Sequence, residues 1–153
     1  GIVVAGGNND LITKNRVENN TTAGILIASF PDGDTTWQPN DNRVIDNVST
    51  GHPDDLSFFL VGENSGNCFE GNEFETSRPL DIETNMPCDG EYGDLSEQYA
   101  PQDPDSFQVI DYIDVPVPGP QENMPDALTA PAVPATDVFE APDVDALTVP
   151  EGA

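Results

Sequence analysis

The chain has 153 residues, the length of one ordinary domain, with 29 Asp and Glu against 4 Lys and Arg and a formal charge of −25. That balance excludes a nucleic-acid or anionic-membrane surface, since phosphate binding needs clustered cations. It suits a secreted protein, high salt, or a partner that brings cations, Ca²⁺ included. No apolar run approaches the roughly 20 residues that cross a bilayer, so no membrane insertion is expected.

The first predicted strand is Gly1-Ile-Val-Val-Ala5. The chain opens without an initiator Met in what reads as mid-strand, as a trimmed product or the visible part of a longer chain would. The same apolar phrase returns at Gly24-Ile-Leu-Ile-Ala28 and, in looser form, at Phe58-Phe-Leu-Val-Gly62. A second strand follows each time. Lys14-Asn-Arg-Val17 and Asp41-Asn-Arg-Val44 share a frame, and Asn72-Glu-Phe74 takes their place in the third round. The pattern is apolar strand, turn, Asn-x-apolar strand, turn, written three times with a period a little above 20 plus insertions.

Such a period, with short β-branched strands and Asn at the corners, indicates a solenoid. The spaced leucines of a leucine-rich repeat are missing. In a β-helix each short strand stacks on its equivalent about 4.8 Å away. The inward columns are then Val4, Ile27 and Val61 (or Leu60), and Val17, Val44 and Phe74. Asn tolerates left-handed corners, and its amide bonds to its copy one coil away. Asn15, Asn42 and Asn72 form the expected ladder, with Arg16, Arg43 and Glu73 stacked outside it and Lys14 beside Asp41.

The loop Phe30–Pro39 interrupts the second coil. Asp32 and Asp34, in Phe-Pro-Asp-Gly-Asp, have the spacing of Ca²⁺ oxygen ligands and equally of an ordinary turn. Trp37 closes the loop, either stacking on sugar rings or covering the loop's own small core. Farther on, Asp54 and Asp55 follow His52-Pro53 and are the second candidate Ca²⁺ pair. His52, the sole imidazole, reads as a surface turn residue rather than a general base. No Gly-rich phosphate loop, nucleophile elbow or zinc spacing occurs, and no catalytic residue is identified.

Two cysteines remain, Cys68 and Cys88. In a reducing compartment they are lone thiols; in an oxidising one they are a candidate disulfide. A zinc site is disfavoured by the want of further ligands.

Residues 1–77 resemble right-handed parallel β-helix repeat proteins of the pectate-lyase-like type. The segment Gly66-Asn-Cys-Phe-Glu-Gly-Asn-Glu-Phe-Glu-Thr-Ser77, ending in Pro87-Cys88, is similar to the closing coil of secreted bacterial members. The resemblance implies an all-β fold of about three parallel β-helix coils over residues 1–88. It also implies a Cys68–Cys88 disulfide closing the C-terminal cap, and a secreted or cell-surface location. Enzymes of that type cleave acidic sugars with carboxylate clusters, commonly with Ca²⁺.

From Asp89 the composition changes. Residues 89–153 are rich in Pro, Ala and Asp and carry no cation, and are expected to form an extended, mostly irregular tail. Ser106–Val117 is its best strand candidate, and Asp126-Ala-Leu-Thr-Ala-Pro131 recurs as Asp145-Ala-Leu-Thr-Val-Pro150. The expected function is a non-catalytic extracellular structural, adhesive or assembly module. Its tail would dock on its own or a neighbouring β-helix. Further coils or another subunit would cover the N-terminal edge, with glycans as a further partner. The alternative is the C-terminal part of a polysaccharide lyase or hydrolase whose catalytic coils lie upstream.

Overall fold

The computed structural model describes residues 1–63, 66–99 and 143–152. The chain divides into two units, one of Gly1–Phe107 with Leu147–Ala153, the other Gln108–Ala146. Within the second unit the described structure is a 3₁₀ turn, Val144–Ala146. The tail's candidate strand at Ser106–Val117 and the peptide at Asp126–Pro131 lie outside the described residues.

The first unit is built of short strands, most of them parallel. They are β1 (Ile2–Ala5), β2 (Leu11–Thr13), β3 (Arg16–Glu18), β4 (Ala23–Ala28), β5 (Phe30–Asp32), β6 (Thr35–Trp37), β7 (Arg43–Ile45), β8 (Val48–Thr50), β9 (Asp54–Phe59), β10 (Cys68–Glu70) and β11 (Ser77–Arg78). One four-residue helix, α1 (Ile82–Asn85), follows them. The largest sheet runs β1-β4-β9-β11; a second runs β2-β7-β10; β3 pairs with β8. Apart from β5 and β6, the strands pair in parallel with their counterparts in the neighbouring round of the sequence.

This register sets the core. Ile2, Ile25 and Leu56 lie in one column, and Val4, Ile27 and Phe58 in the next. The third member of the Val4 column is therefore Phe58, not Val61 or Leu60. In the second sheet the column is Ile12–Val44–Phe69, and Val17 pairs with Ser49 rather than with Val44. Ile25, Ile27, Val44, Leu56, Phe58 and Phe69 are fully buried. At about 1.5–3 kcal/mol for each large apolar side chain removed from water, these columns are the main favourable term.

A second apolar layer lies on the main sheet, where Ala23, Leu26 and Ala28 of β4 are covered by Tyr99, with Phe59 packed beside them. Tyr99 is held in place along β9, its N–H donating to the Phe58 carbonyl at 3.0 Å. Burial, then the charge of Asp54, pushes the Tyr99 phenol's pKa up. The interrupting loop is a β5–β6 hairpin in which Phe30 faces Trp37. Gln38 ties it down, accepting from Ser29 Oγ at 2.7 Å and donating to the Val61 carbonyl at 2.6 Å.

Candidate functional site

The corners follow a five-residue beat. Asn9, Lys14 and Asn19 all have positive φ, as do Asp41, Asp46 and Gly51 one round later, then Gly66 and Gly71. Left-handed backbone favours Asn, Asp and Gly. At Gly66 the close approach of the Asp41 carboxylate also leaves no room for a side chain. The residue after each corner turns inward and carries a polar group: Asp10, Asn15 and Asn20, then Asn42, Asn47 and His52, then Asn67 and Asn72.

These groups form three columns. Asn15 donates through its N–H and Nδ2 to Asn47 Oδ1, both at 2.9 Å. Asn47 does the same to Asn72 Oδ1, at 3.0 and 2.9 Å. Asn42 belongs to a different column, in which the Asp10 N–H donates to Asn42 Oδ1 and Asn42 Nδ2 to Asn67 Oδ1, each at 2.9 Å. The expected trio is thus split: Asn15 and Asn72 share a column through Asn47, while Asn42 stands one corner away.

The outward side chains shift with it. Arg16 pairs with Val48, which bridges Glu73, and Arg43 lies between Leu11 and Cys68. The Lys14 N–H donates to the Ile45 carbonyl, which places Lys14 beside Asp46 and not Asp41. His52 is the third column's counterpart of Asn. It is buried, Nδ1 accepts from the Asn20 N–H at 2.9 Å, and Nε2 lies 3.1 Å from the Val17 carbonyl. That corrects its reading as a surface residue.

The columns have a direction. The carboxamide oxygens of Asn42, Asn47, Asn67 and Asn72 all accept from the preceding round. At the far end the pattern is closed. Glu83 of α1 accepts from Asn72 N–H and Nδ2 at 2.7 and 2.8 Å. The Phe69 N–H donates to the Met86 carbonyl at 2.9 Å, and Ile82 and Met86 cover the core. Cys68 and Cys88 form a disulfide beside this cap.

Among the described residues the other end is open. β1, β2 and β3 are each the outer strand of their sheets, with Val3 55% and Leu11 49% exposed. Among the described residues the Asn15 Oδ1 and the Asp10 carboxylate accept no hydrogen bond. A groove of about 420 Å³ runs along this end, bordered by Ile2, Asn15, Arg16, Val17 and Glu18. Among the described residues this end therefore combines unpaired strand edge, exposed apolar side chains and unfilled acceptors.

The two expected Ca²⁺ pairs fall in different places. Asp32 and Asp34 lie at the exposed hairpin turn around Gly33, and Trp37 is 53% exposed on the same hairpin, its Cβ packed on Gly6. Asp54 accepts from Arg78 Nε at 2.8 Å. Asp55 is fully buried. Its Oδ1 accepts from the His52 N–H at 3.1 Å, and its Oδ2 from Glu75 and Thr76 N–H, each at 2.9 Å. Burial alone would raise the Asp55 pKa, but these backbone donors outweigh it and hold the carboxyl below its ordinary value. Asp55 therefore fixes the turn into β9. Among the described residues no group of three or more acidic, His or Cys side chains is arranged to hold a metal.

A second groove, about 400 Å³, lies beside Asp54, Glu75, Arg78, Leu80, Asp81 and Glu97. Its one cation is already paired with Asp54. No family model matches the chain, and no curated protein or solved structure matches it. Among the described residues no helix is long and apolar enough to cross a membrane, and the disulfide points to an oxidising environment.

Proposed function

We propose that this chain is a non-catalytic extracellular module of the right-handed parallel β-helix type, serving as a structural or assembly component. The difference between its two ends carries the reading. A charged cap, a helix and a disulfide close one end of the columns, while the other presents three outer strands and free acceptors. In a β-helix, that polarity fits an added coil that supplies backbone N–H groups and carboxamide donors in the same register. The capped end lacks those donors, because Glu83 offers only acceptor oxygens; head-to-tail stacking of this chain on itself is disfavoured. Trp37's half-exposed indole is where such a module would meet a sugar ring, in an adhesive role.

Hydrogen exchange tests the reading. Backbone amides of β1–β3 should exchange at least tenfold more slowly in material from the native source than in the isolated chain of residues 1–153. Equal rates in both would remove the proposal.

A further inference from the structure

The open-end groove already has an occupant along one side. Arg16 Nε donates to the carbonyl of Pro150 at 2.5 Å, although the two residues are 134 positions apart, and Arg16 Nη1 holds Glu18 Oε1 at 3.0 Å. Pro150 lines the groove with Ile2, Val17 and Asn20. Gly152 passes so close that a β-carbon there would lie 3.1 Å from Glu18 Oε1 and 3.5 Å from Arg16 Nη1. Residues Leu147–Ala153 belong to the same unit as β3.

The charge of Arg16 explains the choice of place, since its guanidinium meets the Pro150 carbonyl directly. Arg16 is one of only four Lys and Arg side chains in the chain, and the segment that reaches it carries Glu151 and no cation. Proline suits the anchor: it has no N–H to leave unpaired, and its fixed φ keeps the segment extended with the carbonyl free to accept. The guanidinium donates simultaneously to that carbonyl and to a carboxylate, a fork that Lys cannot reproduce.

We propose that the β3 flank is a docking site for the chain's own C-terminal segment, Leu147–Gly152, held in cis across part of the open end. This rests on the assembly reading above and adds to it. A coil stacking on β3 must first displace the segment, so the strap sets the threshold for assembly. Its hold is light, with one charge-assisted hydrogen bond and mostly exposed residues, as a displaceable cover requires.

Backbone dynamics by NMR on the full chain test this. Amides of residues 147–149, 151 and 152 should show order parameters of about 0.8, near those of rigid backbone, and fall below about 0.6 in Arg16→Gln and Arg16→Ala. Resonances of β4 and β9 should stay in place in both variants, which separates undocking from loss of the fold. Spin-labelled chain mixed with isotope-labelled chain should broaden no signal between molecules at low concentration. Free tumbling of 147–152 in the unaltered chain overturns the proposal, as does order that survives both substitutions, or interchain broadening. These outcomes leave the β1–β3 exchange comparison unaffected, so the strap can fail while the assembly reading stands, and the reverse.

Discussion

Asn47 ties together several stretches of backbone. Its oxygen serves two donors from Asn15, and its Nδ2 donates to the Ile12 carbonyl and to Asn72 Oδ1, each at 2.9 Å, and to the Ile45 carbonyl at 3.1 Å. Asn47→Asp keeps the acceptor but removes all three donations and sets a carboxylate against three oxygens. A buried unsatisfied group costs about 1–3 kcal/mol, so the urea midpoint should fall by the equivalent of at least about 3 kcal/mol. The same substitution at Asn15, on the open end with water at hand, should cost under half as much. Asp55 gives a pH signature. Its folded pKa is depressed, so its contribution is complete above the ordinary carboxylate value near 3.8 and is lost as pH falls through the lower folded value. Thermal melts should therefore decline below about pH 4, and Asp55→Asn should flatten that decline while lowering stability at neutral pH.

At the scale of elements, the strands are short because the corners come every five residues, and no three-residue strand is stable alone. They persist because each is held by its copy and by a carboxamide column. The cap depends on the Cys68–Cys88 link, which closes a separation of 20 residues. A loop of that size adds about 3 kcal/mol in the chain-entropy account. The double variant Cys68→Ser, Cys88→Ser should lose about that much, and exchange of the Phe69 and Asn72 amides should rise before that of β4. Uniform acceleration across all strands would show instead that the cap and the stack unfold together. Tyr99 acts differently: it extends the ordered structure over the outer face of β4, beyond the last paired strand.

For the whole molecule, the decisive property is that its two ends differ. One is sealed by Glu83, α1 and the disulfide. Among the described residues the other leaves Val3, Leu11 and three strand edges exposed, with Arg16 holding the Pro150 carbonyl at its margin. On the assembly proposal that edge is covered selectively, because charge elsewhere on the surface suppresses indiscriminate association.

Much of this was legible in the sequence. The apolar runs at Gly1–Ala5, Gly24–Ala28 and Phe58–Gly62 and the Asx-x-apolar phrases imply parallel stacking of like on like. The resemblance of the closing segment implied the disulfide that forms. The register was not legible from the shared Asn-Arg-Val alone. That phrase occurs at Asn15 and at Asn42, which occupy successive corners of two different columns. Aligning them gives a step of 27, whereas the columns advance by 32 and then 25 residues. The five-residue spacing of Asp10, Asn15 and Asn20 against Asn42, Asn47 and His52 carries the correct frame, and it would have marked His52 as a column member.

The sequence by itself determined the acidity, the recurrence of short apolar strands and the alternation that makes each strand inward on one side, because these depend on neighbours a few residues apart. Only the tertiary structure decided the step between rounds, that the left-handed corners fall on Lys14, Asp41 and Gly71 rather than on Asn15, Asn42 and Asn72, that Asp55 holds a turn, and that Pro150 meets Arg16. Those outcomes depend on the lengths of insertions and on contacts between distant segments, where one inserted hairpin moves every later partner without altering any local pattern.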